Sequence, residues 1–235
     1  STPSNSSAAS DVYKRQVEET LNRLRIVTDE VLRAGKIPVL IGGEHTLTLG
    51  SVRSLRGKKI AVLCFDAHLD LRKEYLGEKL SHATYLRWIC EYFDGLNITC
   101  VGSRGFCTEE IEYAAKKRIS IISSVLLLKS FNDAYKRLSD ILATADRVYI
   151  SIDMDVLDPA FVNEVGNPEP EGLTPTSLFD LFELFKGKKV MGFDVMELSP
   201  TSFWNPSHYL AAKIVYELMA AVTDDPEVMI SNLNI

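Results

Sequence analysis

Short apolar runs of strand length alternate along this chain with segments whose apolar residues recur at helical spacing. Such alternation is typical of βαβ units, in which parallel strands form a central sheet and helices cover both of its faces. Right-handed crossovers place the carboxyl ends of these strands at one edge, where open α/β sheets bind ligands. We therefore expect an α/β fold, a three-layer α/β/α sandwich with a mostly parallel sheet. The expected strands cover residues 37–41, 59–63, 98–101, 119–122, 148–152 and 190–195.

The intervening segments carry specific helix signals as well as helical periodicity. Thr174 and Pro175 are residue types favoured at the N-cap and the first position of a helix. The segment 156–173 is rich in turn residues, and a loop of this length inside a compact domain is usually functional. The expected helices cover residues 17–34, 46–55, 83–93, 109–117, 131–143, 174–185 and 208–222.

The N-terminal segment does not follow this alternation. Residues 1–10 show no apolar periodicity and are expected to be disordered. Residues 1–16 resemble translated adapter sequence, so we interpret them as a non-native leader and exclude them from functional reasoning. The remaining residues 17–235 contain no visible linker and are expected to form a single domain.

Composition argues against several classes of protein. A net charge of −6 and the lack of a basic block argue against a nucleic-acid-binding surface. No apolar run approaches the ~20 residues of a membrane span, and no signal peptide is visible. The four cysteines are scattered without CxxC spacing, so we expect reduced thiols and a cytoplasmic protein.

Asp66, His68 and Asp70 occupy alternate positions directly after the 59–63 run. Alternate residues of an extended chain point the same way, so the three side chains can converge on one point. Two carboxylates and an imidazole at the end of a buried strand would destabilise one another without a cation between them. A divalent metal is the simplest such cation. The structural alternative is a polar strand-to-loop transition with an aspartate cap.

Further side chains of this kind follow three other expected strands, namely His45 after a diglycine, Asp153 with Asp155, and Glu197. Two imidazoles and four aspartates exceed what one ion needs. Such a set suits Mn²⁺, with Fe²⁺ or Zn²⁺ possible and Ca²⁺ disfavoured by the histidines. A pair of ions would activate water, which indicates metal-assisted hydrolysis. The predicted metal ligands are His45, Asp66, His68, Asp70, Asp153 and Asp155.

The blocks that carry these residues resemble, in order and spacing, the signature blocks of the ureohydrolases, which include arginase and agmatinase. They are GGEH at 42–45, DAHLD at 66–70, SIDMDVLDP at 151–159 and DVME at 194–197. The segments 76–84 and 166–175 look most like archaeal-type agmatinases. The likeness extends from about residue 37 to residue 222.

The resemblance implies two Mn²⁺ ions per chain and cleavage of a guanidino compound to urea and an amine. Glu197 would pair with the guanidinium, which stays charged at any working pH. Asp70 would relay a proton to the departing amine, and His82 would shuttle protons beside the site. One ion would be held by His45, Asp66, Asp70 and Asp153. The other would be held by Asp66, His68, Asp153 and Asp155.

Agmatine, converted to putrescine and urea, is the preferred substrate, and the resemblance also implies a homo-oligomer, a trimer or a hexamer. Arginine, guanidinobutyrate and aminopropyl-agmatine are alternatives within the same class. A binuclear hydrolase of phosphates or amides is a different enzyme class. The carboxylate of Glu197 discriminates between the classes, because it favours a cationic guanidinium and repels phosphate. An inactive metal-binding fragment is the non-enzymatic alternative.

Individual residues also have structural alternatives. His45 could cap the following helix, His82 could be a surface histidine, and Glu197 could be an ordinary charge at a strand end. We expect a supporting or capping role for Glu44 and assign none to Arg104. Ureohydrolases carry a longer segment before the diglycine, so we expect N-terminal strands to be missing and the 37–41 edge to be unpaired.

Overall fold

The structure, a computed structural model, describes residues 5–55, 60–93, 95–201 and 203–223, with side chains from residue 15 onward. Its strands form one six-stranded sheet in which every pairing is parallel. The strands are β1 (Val39–Ile41), β2 (Ala61–Phe65), β3 (Asn97–Val101), β4 (Ser120–Ile122), β5 (Val148–Asp153) and β6 (Val190–Met196). Their spatial order is β1-β6-β5-β2-β3-β4.

The α-helices connect these strands, and short 3₁₀ turns at His82–Thr84, Met154–Val156 and Glu183–Phe185 complete the connections. Thr174 caps its helix as expected, because its hydroxyl accepts a hydrogen bond from the Ser177 N–H at 3.1 Å. The helices are α1 (Asn5–Arg33), α2 (Leu47–Arg53), α3 (Tyr85–Tyr92), α4 (Thr108–Lys117), α5 (Ser124–Lys129), α6 (Phe131–Ala143), α7 (Pro175–Phe182) and α8 (Pro206–Val222).

Two hydrophobic clusters, one on each face of the sheet, confirm the three-layer architecture. Successive side chains of β2 alternate between them, since Val62 and Cys64 join one cluster while Leu63 and Phe65 join the other. The Val62 cluster includes residues of α1, α2, α3 and α4, and the Leu63 cluster includes residues of α5, α6, α7 and α8. The fold is the predicted three-layer α/β/α sandwich.

The structure differs from the expectation in two places. Helix α1 begins at Asn5, so the described part of the segment expected to be disordered is helical. Helix propagation adds one hydrogen bond per residue ordered, so a packed helix extends readily into a serine- and alanine-rich segment without proline. Helix α5 was not predicted, because six residues are too few to show a helical period. Residues 1–4 and the predicted strand start at Lys59 lie outside the described residues.

Strand β1 lies at the end of the described sheet and pairs with β6 alone. Ile41, its last residue, is 72 % exposed. The cysteines are free thiols, and Cys64, Cys90 and Cys100 are buried. Among the described helices, none has the length and apolar character that a membrane span requires.

Candidate metal centre

The strands that precede the predicted metal ligands and Glu197 are four direct neighbours in the sheet, β1, β6, β5 and β2. Asp66 follows the last residue of β2, Asp153 is the last residue of β5, and Glu197 follows β6. Because all strands are parallel, these carboxyl ends lie side by side on one edge of the sheet. The sequence predicts that the strand ends share an edge, whereas their adjacency is a finding of the structure.

A diglycine turn brings His45 to this edge. Gly42 and Gly43 have φ values of 81° and 90°, a region that favours glycine. The carbonyl of Gly43 accepts a hydrogen bond from the Glu197 N–H at 3.0 Å, which ties the turn to the end of β6. The His45 N–H in turn donates to Glu197 Oε1 at 2.5 Å. The turn therefore positions the imidazole and the Glu197 carboxylate together.

The first ligand cluster consists of His45, Asp66 and Asp153, which are all buried and whose ligand atoms lie within 4.8 Å of one another. His45 Nδ1 lies 3.0 Å from Asp153 Oδ2 and 3.3 Å from Asp66 Oδ2. Asp70 is not a member of this cluster, but its Oδ2 lies 3.8 Å from the same His45 nitrogen. All four side chains predicted for the first ion are thus in one place.

The second ligand cluster consists of Asp66, His68 and Asp155. His68 Nδ1 lies 2.9 Å from Asp155 Oδ2 and 3.5 Å from Asp66 Oδ1. Asp66 therefore belongs to both clusters, as expected for a bridging carboxylate. Asp153, the other predicted bridge, belongs to the first cluster and contacts the second by accepting the Asp155 N–H on its Oδ1 at 2.8 Å.

A buried hydrogen-bond network, which was not predicted from the sequence, holds the Nε2 side of the His45 ring. His45 Nε2 lies 2.8 Å from Ser151 Oγ, and the Ser151 hydroxyl donates to Asp194 Oδ1 at 2.6 Å. Because that hydroxyl proton is used, the Ser151 oxygen is left to accept from Nε2–H, and Nδ1 faces the carboxylates. Asp194 also accepts hydrogen bonds from the hydroxyls of Thr48 at 2.9 Å and Tyr149 at 2.7 Å.

The register of the sheet explains this network. Ser151 on β5 and Asp194 on β6 are direct partners across the two strands. Ser151 also precedes Asp153 by two residues and so shares its face. The only sequence signal for the network was the presence of both residues in the motif blocks, because their pairing depends on which strands are neighbours.

The electrostatics of the clusters fit divalent cations. In the described part of the chain, the ion pairs of Asp66, Asp70, Asp153 and Asp155 are all with histidines and none is with lysine or arginine. Burial, together with neighbouring carboxylates, raises the pKa of Asp70 and Asp153 well above the usual range. A set of buried carboxylates and imidazoles without a fixed cation suits a carboxylate-bridged metal pair.

The two histidines carry the balancing protons in the absence of such cations. Burial opposes charging of His68, but hydrogen bonds with Asp155 and Asp66 outweigh it and raise its pKa to about 11. The pKa of His45 is likewise raised despite its complete burial, because Asp153 and Asp66 contact it. Metal ions would replace these protons at the same carboxylates.

A cavity of about 640 Å³ opens onto the clusters. Its wall includes both of the predicted residues outside the ligand set, His82 and Glu197. It also includes four of the predicted ligands, namely His68, Asp70, Asp153 and Asp155. Burial raises the pKa of Glu197 above its usual range. The structure thus brings every sequence-predicted site residue to one cavity or its immediate border.

Glu44 orients His82, in the supporting role expected for it. Glu44 Oε1 accepts the His82 N–H at 2.6 Å and lies 3.2 Å from His82 Nδ1. The Thr46 hydroxyl donates to the same oxygen at 2.9 Å. The hydrogen bond with Glu44 raises the pKa of His82. The ring of Tyr75 lies edge-on to the imidazole at 5.3 Å.

Two other polar residues lie outside the cavity wall. Arg104, to which no role was assigned, donates to backbone carbonyls of several segments, including that of Asp155 at 2.8 Å. It connects the segment that contains Asp155 to the loop that contains Glu169 and Pro170. His208 forms an ion pair with the buried Glu164 at 2.6 Å.

Comparison with known proteins adds an independent line of evidence. The sequence model of a family described as the arginase family matches residues 6–221. The agmatinase of Pyrococcus horikoshii is 36 % identical over 200 residues, which are 84 % of this chain and 65 % of that protein. The N(1)-aminopropylagmatine ureohydrolase of Thermococcus kodakarensis is 34 % identical over 208 residues, which are 87 % of this chain and 69 % of that protein.

Solved structures agree with these matches. The agmatine ureohydrolase of Thermoplasma volcanium superposes with a TM-score of 0.79 at 36 % identity, over 88 % of this chain and 70 % of that one. An arginase from Bacillus cereus, at 20 % identity and a TM-score of 0.78, shares the fold. The chain spans about two thirds of the length of the curated relatives named above.

Proposed function

Because this chain belongs to the arginase family of ureohydrolases, we propose that it hydrolyses agmatine to putrescine and urea, using two Mn²⁺ ions. The observation that carries the proposal is the pair of Asp/His clusters that share Asp66, on a cavity whose wall includes Glu197. Carboxylates and imidazoles in this proportion suit Mn²⁺. The free cysteines fit a reducing compartment, and we place the protein in the cytoplasm.

The metal ions would be held by two sets of residues that share Asp66 and Asp153. The first set is His45, Asp66, Asp70 and Asp153, and the second is Asp66, His68, Asp153 and Asp155. When bound, the ions would lower the pKa of water enough to supply a hydroxide nucleophile at neutral pH. The protein contributes the positions of the ligands. His45 is fixed by Ser151, and Asp155 is fixed by the Ala67 N–H, which donates to its Oδ1 at 3.0 Å.

Glu197 would bind the guanidinium group of the substrate. Its carboxylate is partly buried and receives the His45 N–H on one oxygen, so its orientation is defined. A guanidinium is planar, always charged and an excellent bidentate partner for a carboxylate. A carboxylate here would repel phosphate, which disfavours a phosphate-cleaving enzyme.

His82 and Asp70 would carry out the proton transfers of the reaction. The hydrogen bond with Glu44 raises the pKa of His82, so its imidazolium form is available near neutral pH to protonate a departing amine. Asp70 lies between His45 and the cavity, which suits it to pass a proton from the attacking water outward.

N(1)-Aminopropylagmatine is the second candidate substrate. The relative from Thermococcus kodakarensis is named for this compound, and the cavity of about 640 Å³ has room for a guanidino amine longer than agmatine. Following the family resemblance, we also propose that the chain acts as a homo-oligomer, a trimer or a hexamer, which light scattering coupled to size exclusion measures directly.

The proposed function is tested by urea release from agmatine, aminopropylagmatine and arginine in parallel. The protein is assayed after loading with Mn²⁺ and again after chelation. Mn-dependent release of urea from agmatine supports the proposal. Release of urea from arginine alone would change the assigned substrate but not the assigned type of reaction. No urea from any of the three substrates, in protein that binds two Mn²⁺ per chain, contradicts it.

A further inference from the structure

Glu169 places a carboxylate on the cavity wall that neither the metal clusters nor the guanidinium site uses. Its side chain is 39 % exposed, so it is open to a ligand but partly shielded from solvent. It belongs to the long loop between β5 and α7, whereas Glu197 follows β6. The cavity thus has a second acidic position in addition to the one proposed for the guanidinium.

The backbone around Glu169 is held rigidly. The guanidinium of Arg104 donates from Nη2 to the Glu169 carbonyl at 2.7 Å and from Nε to the Pro170 carbonyl at 2.8 Å. The same Nη2 donates to the carbonyl of Asp155 at 2.8 Å. Pro168 and Pro170 further restrict the dihedral angles on both sides. Glu169 therefore stands at a defined position relative to the metal ligand Asp155.

Space beside the carboxylate is provided by a glycine. A Cβ atom on Gly105 would lie 3.3 Å from Glu169 Oε1 and 2.9 Å from His68 Cδ2. Any side chain at this position would therefore crowd both the carboxylate and the ligand histidine. Gly105 itself lines the cavity, so the approach to Glu169 from inside the cavity is open.

The charges nearby leave Glu169 able to accept a cation. Its Oε1 lies 3.8 Å from His68 Nε2, which is too long for a hydrogen bond. Arg72, the arginine that lines the described cavity, is paired with Glu110 at 3.8 Å and lies over the Tyr75 ring at 5.5 Å. Glu110 thus balances the arginine charge. Glu169 faces the His68 imidazole at the same distance of 3.8 Å, but a metal ion bound to His68 would replace the extra imidazole proton. In the metal-loaded protein His68 would therefore no longer offset the Glu169 charge.

We propose that Glu169 is a specificity-determining residue that binds a second cation at the far end of the substrate. The site would then select guanidino amines, which carry a distal ammonium, over guanidino acids, which carry a distal carboxylate. This inference rests on the proposed ureohydrolase function and assigns its substrate class. Glu169 takes no part in the chemistry, so its removal acts on substrate binding.

The test compares agmatine with pentylguanidine, in which a methyl group replaces the distal ammonium. Glu169→Gln keeps the size of the side chain and removes its charge. We expect a fall of about ten-fold in kcat/KM for agmatine, as for a lost charge-assisted hydrogen bond. The fall should lie in KM, and pentylguanidine should be cleaved as well as by the unmodified protein. Glu171→Gln, an exposed carboxylate of the same loop outside the cavity wall, is the matched control and should change neither substrate.

Three outcomes of this test overturn the proposal. An equal fall for both substrates, or a loss of Mn²⁺ by elemental analysis, would mean that Glu169 supports His68 instead. An unchanged agmatine KM would mean that it binds nothing.

The proposal remains testable if the proposed function fails and no guanidino substrate is cleaved. Calorimetry with Mn-loaded protein then compares putrescine with pentylamine. Glu169→Gln should abolish any preference for the diamine, and a preference that persists, or that the unmodified protein lacks, overturns the proposal.

Discussion

Asp66 is the residue on which the candidate metal centre depends most, since its two oxygens face different histidines. Its Oδ2 lies 3.3 Å from His45 Nδ1, and its Oδ1 lies 3.5 Å from His68 Nδ1. Asp155 belongs to the second cluster alone. The two aspartates therefore differ in the number of ions that their removal should affect.

We expect Asp155→Ala to lower bound Mn²⁺ from two ions toward one per chain, because the second cluster loses a ligand while the first keeps its set. Elemental analysis after gel filtration measures the stoichiometry. Asp140→Ala, at an exposed position of α6, is the control and should retain two ions. Unchanged occupancy in Asp155→Ala would remove Asp155 from the ligand set.

The contact between Glu44 and His82 predicts a pH dependence. The hydrogen bond raises the pKa of His82. Burial acts to raise the pKa of Glu44, but the hydrogen bonds with His82 and Thr46 outweigh burial, and the pKa of Glu44 is lowered. The pair therefore stabilises the folded state fully only between the unfolded pKa values of about 4.5 and about 6.5. This contribution is lost as pH rises through the folded pKa of His82, or falls through that of Glu44.

We expect Glu44→Gln to lower the pKa of His82 toward the ordinary value of about 6.5. NMR titration of the imidazole signals measures it, and few histidines need to be assigned. The signals of His208, which pairs with Glu164, should not change between the two proteins. An unaltered His82 titration would show that the glutamate does not set its charge.

Helices α1 and α2 pack so closely that one position between them has no room for a side chain. A Cβ on Gly50 in α2 would lie 3.0 Å from both the Leu21 carbonyl oxygen and Leu24 Cβ. Both atoms belong to α1, which covers one face of the sheet. The glycine is thus required by packing, although glycine weakens a helix by itself.

Gly50→Ala tests which effect prevails. Helix propensity favours alanine by about 1 kcal/mol, whereas overpacking of a dense interface costs about 1–3 kcal/mol. We expect a net loss in the free energy of unfolding, measured by urea denaturation. Asp140→Ala, where propensity acts without crowding, should stabilise the protein. A stabilised Gly50→Ala would show that α1 moves away from α2 at little cost.

At the whole-molecule scale, β1 is an end strand of the described sheet. On its outer side, β1 has no partner strand among the described residues, and Ile41 exposes 72 % of its surface there. Unpaired edges with exposed apolar residues are sites of strand addition and aggregation.

We expect Ile41→Lys to raise the temperature at which the protein aggregates, followed by light scattering on heating. Ile26→Lys, on an exposed part of α1 (43 % exposed), removes a comparable apolar residue without changing a strand edge. A larger effect at Ile41 supports edge pairing. Equal effects of the two substitutions would attribute aggregation to general surface hydrophobicity.

Several features were predictable because they are local or follow from general topology. Apolar runs predict the strands, helical spacing predicts most helices, and parallel crossovers predict that the strand ends share an edge. The predicted ligands, from His45 to Asp155, were found from residue type and spacing at those ends. The structure places them within one site because the parallel strands end at a common edge and the diglycine turn brings His45 to it.

Other features depend on contacts between distant segments, and only the tertiary structure decided them. The spatial order of β1, β6, β5 and β2 makes Ser151 and Asp194 partners, and hence supports His45. The packing of Arg104 against carbonyls of a loop more than fifty residues away fixes Glu169. Local residue patterns encode which way a side chain points along its own element. They do not encode which element lies beside it, since that is set by the packing of the whole chain.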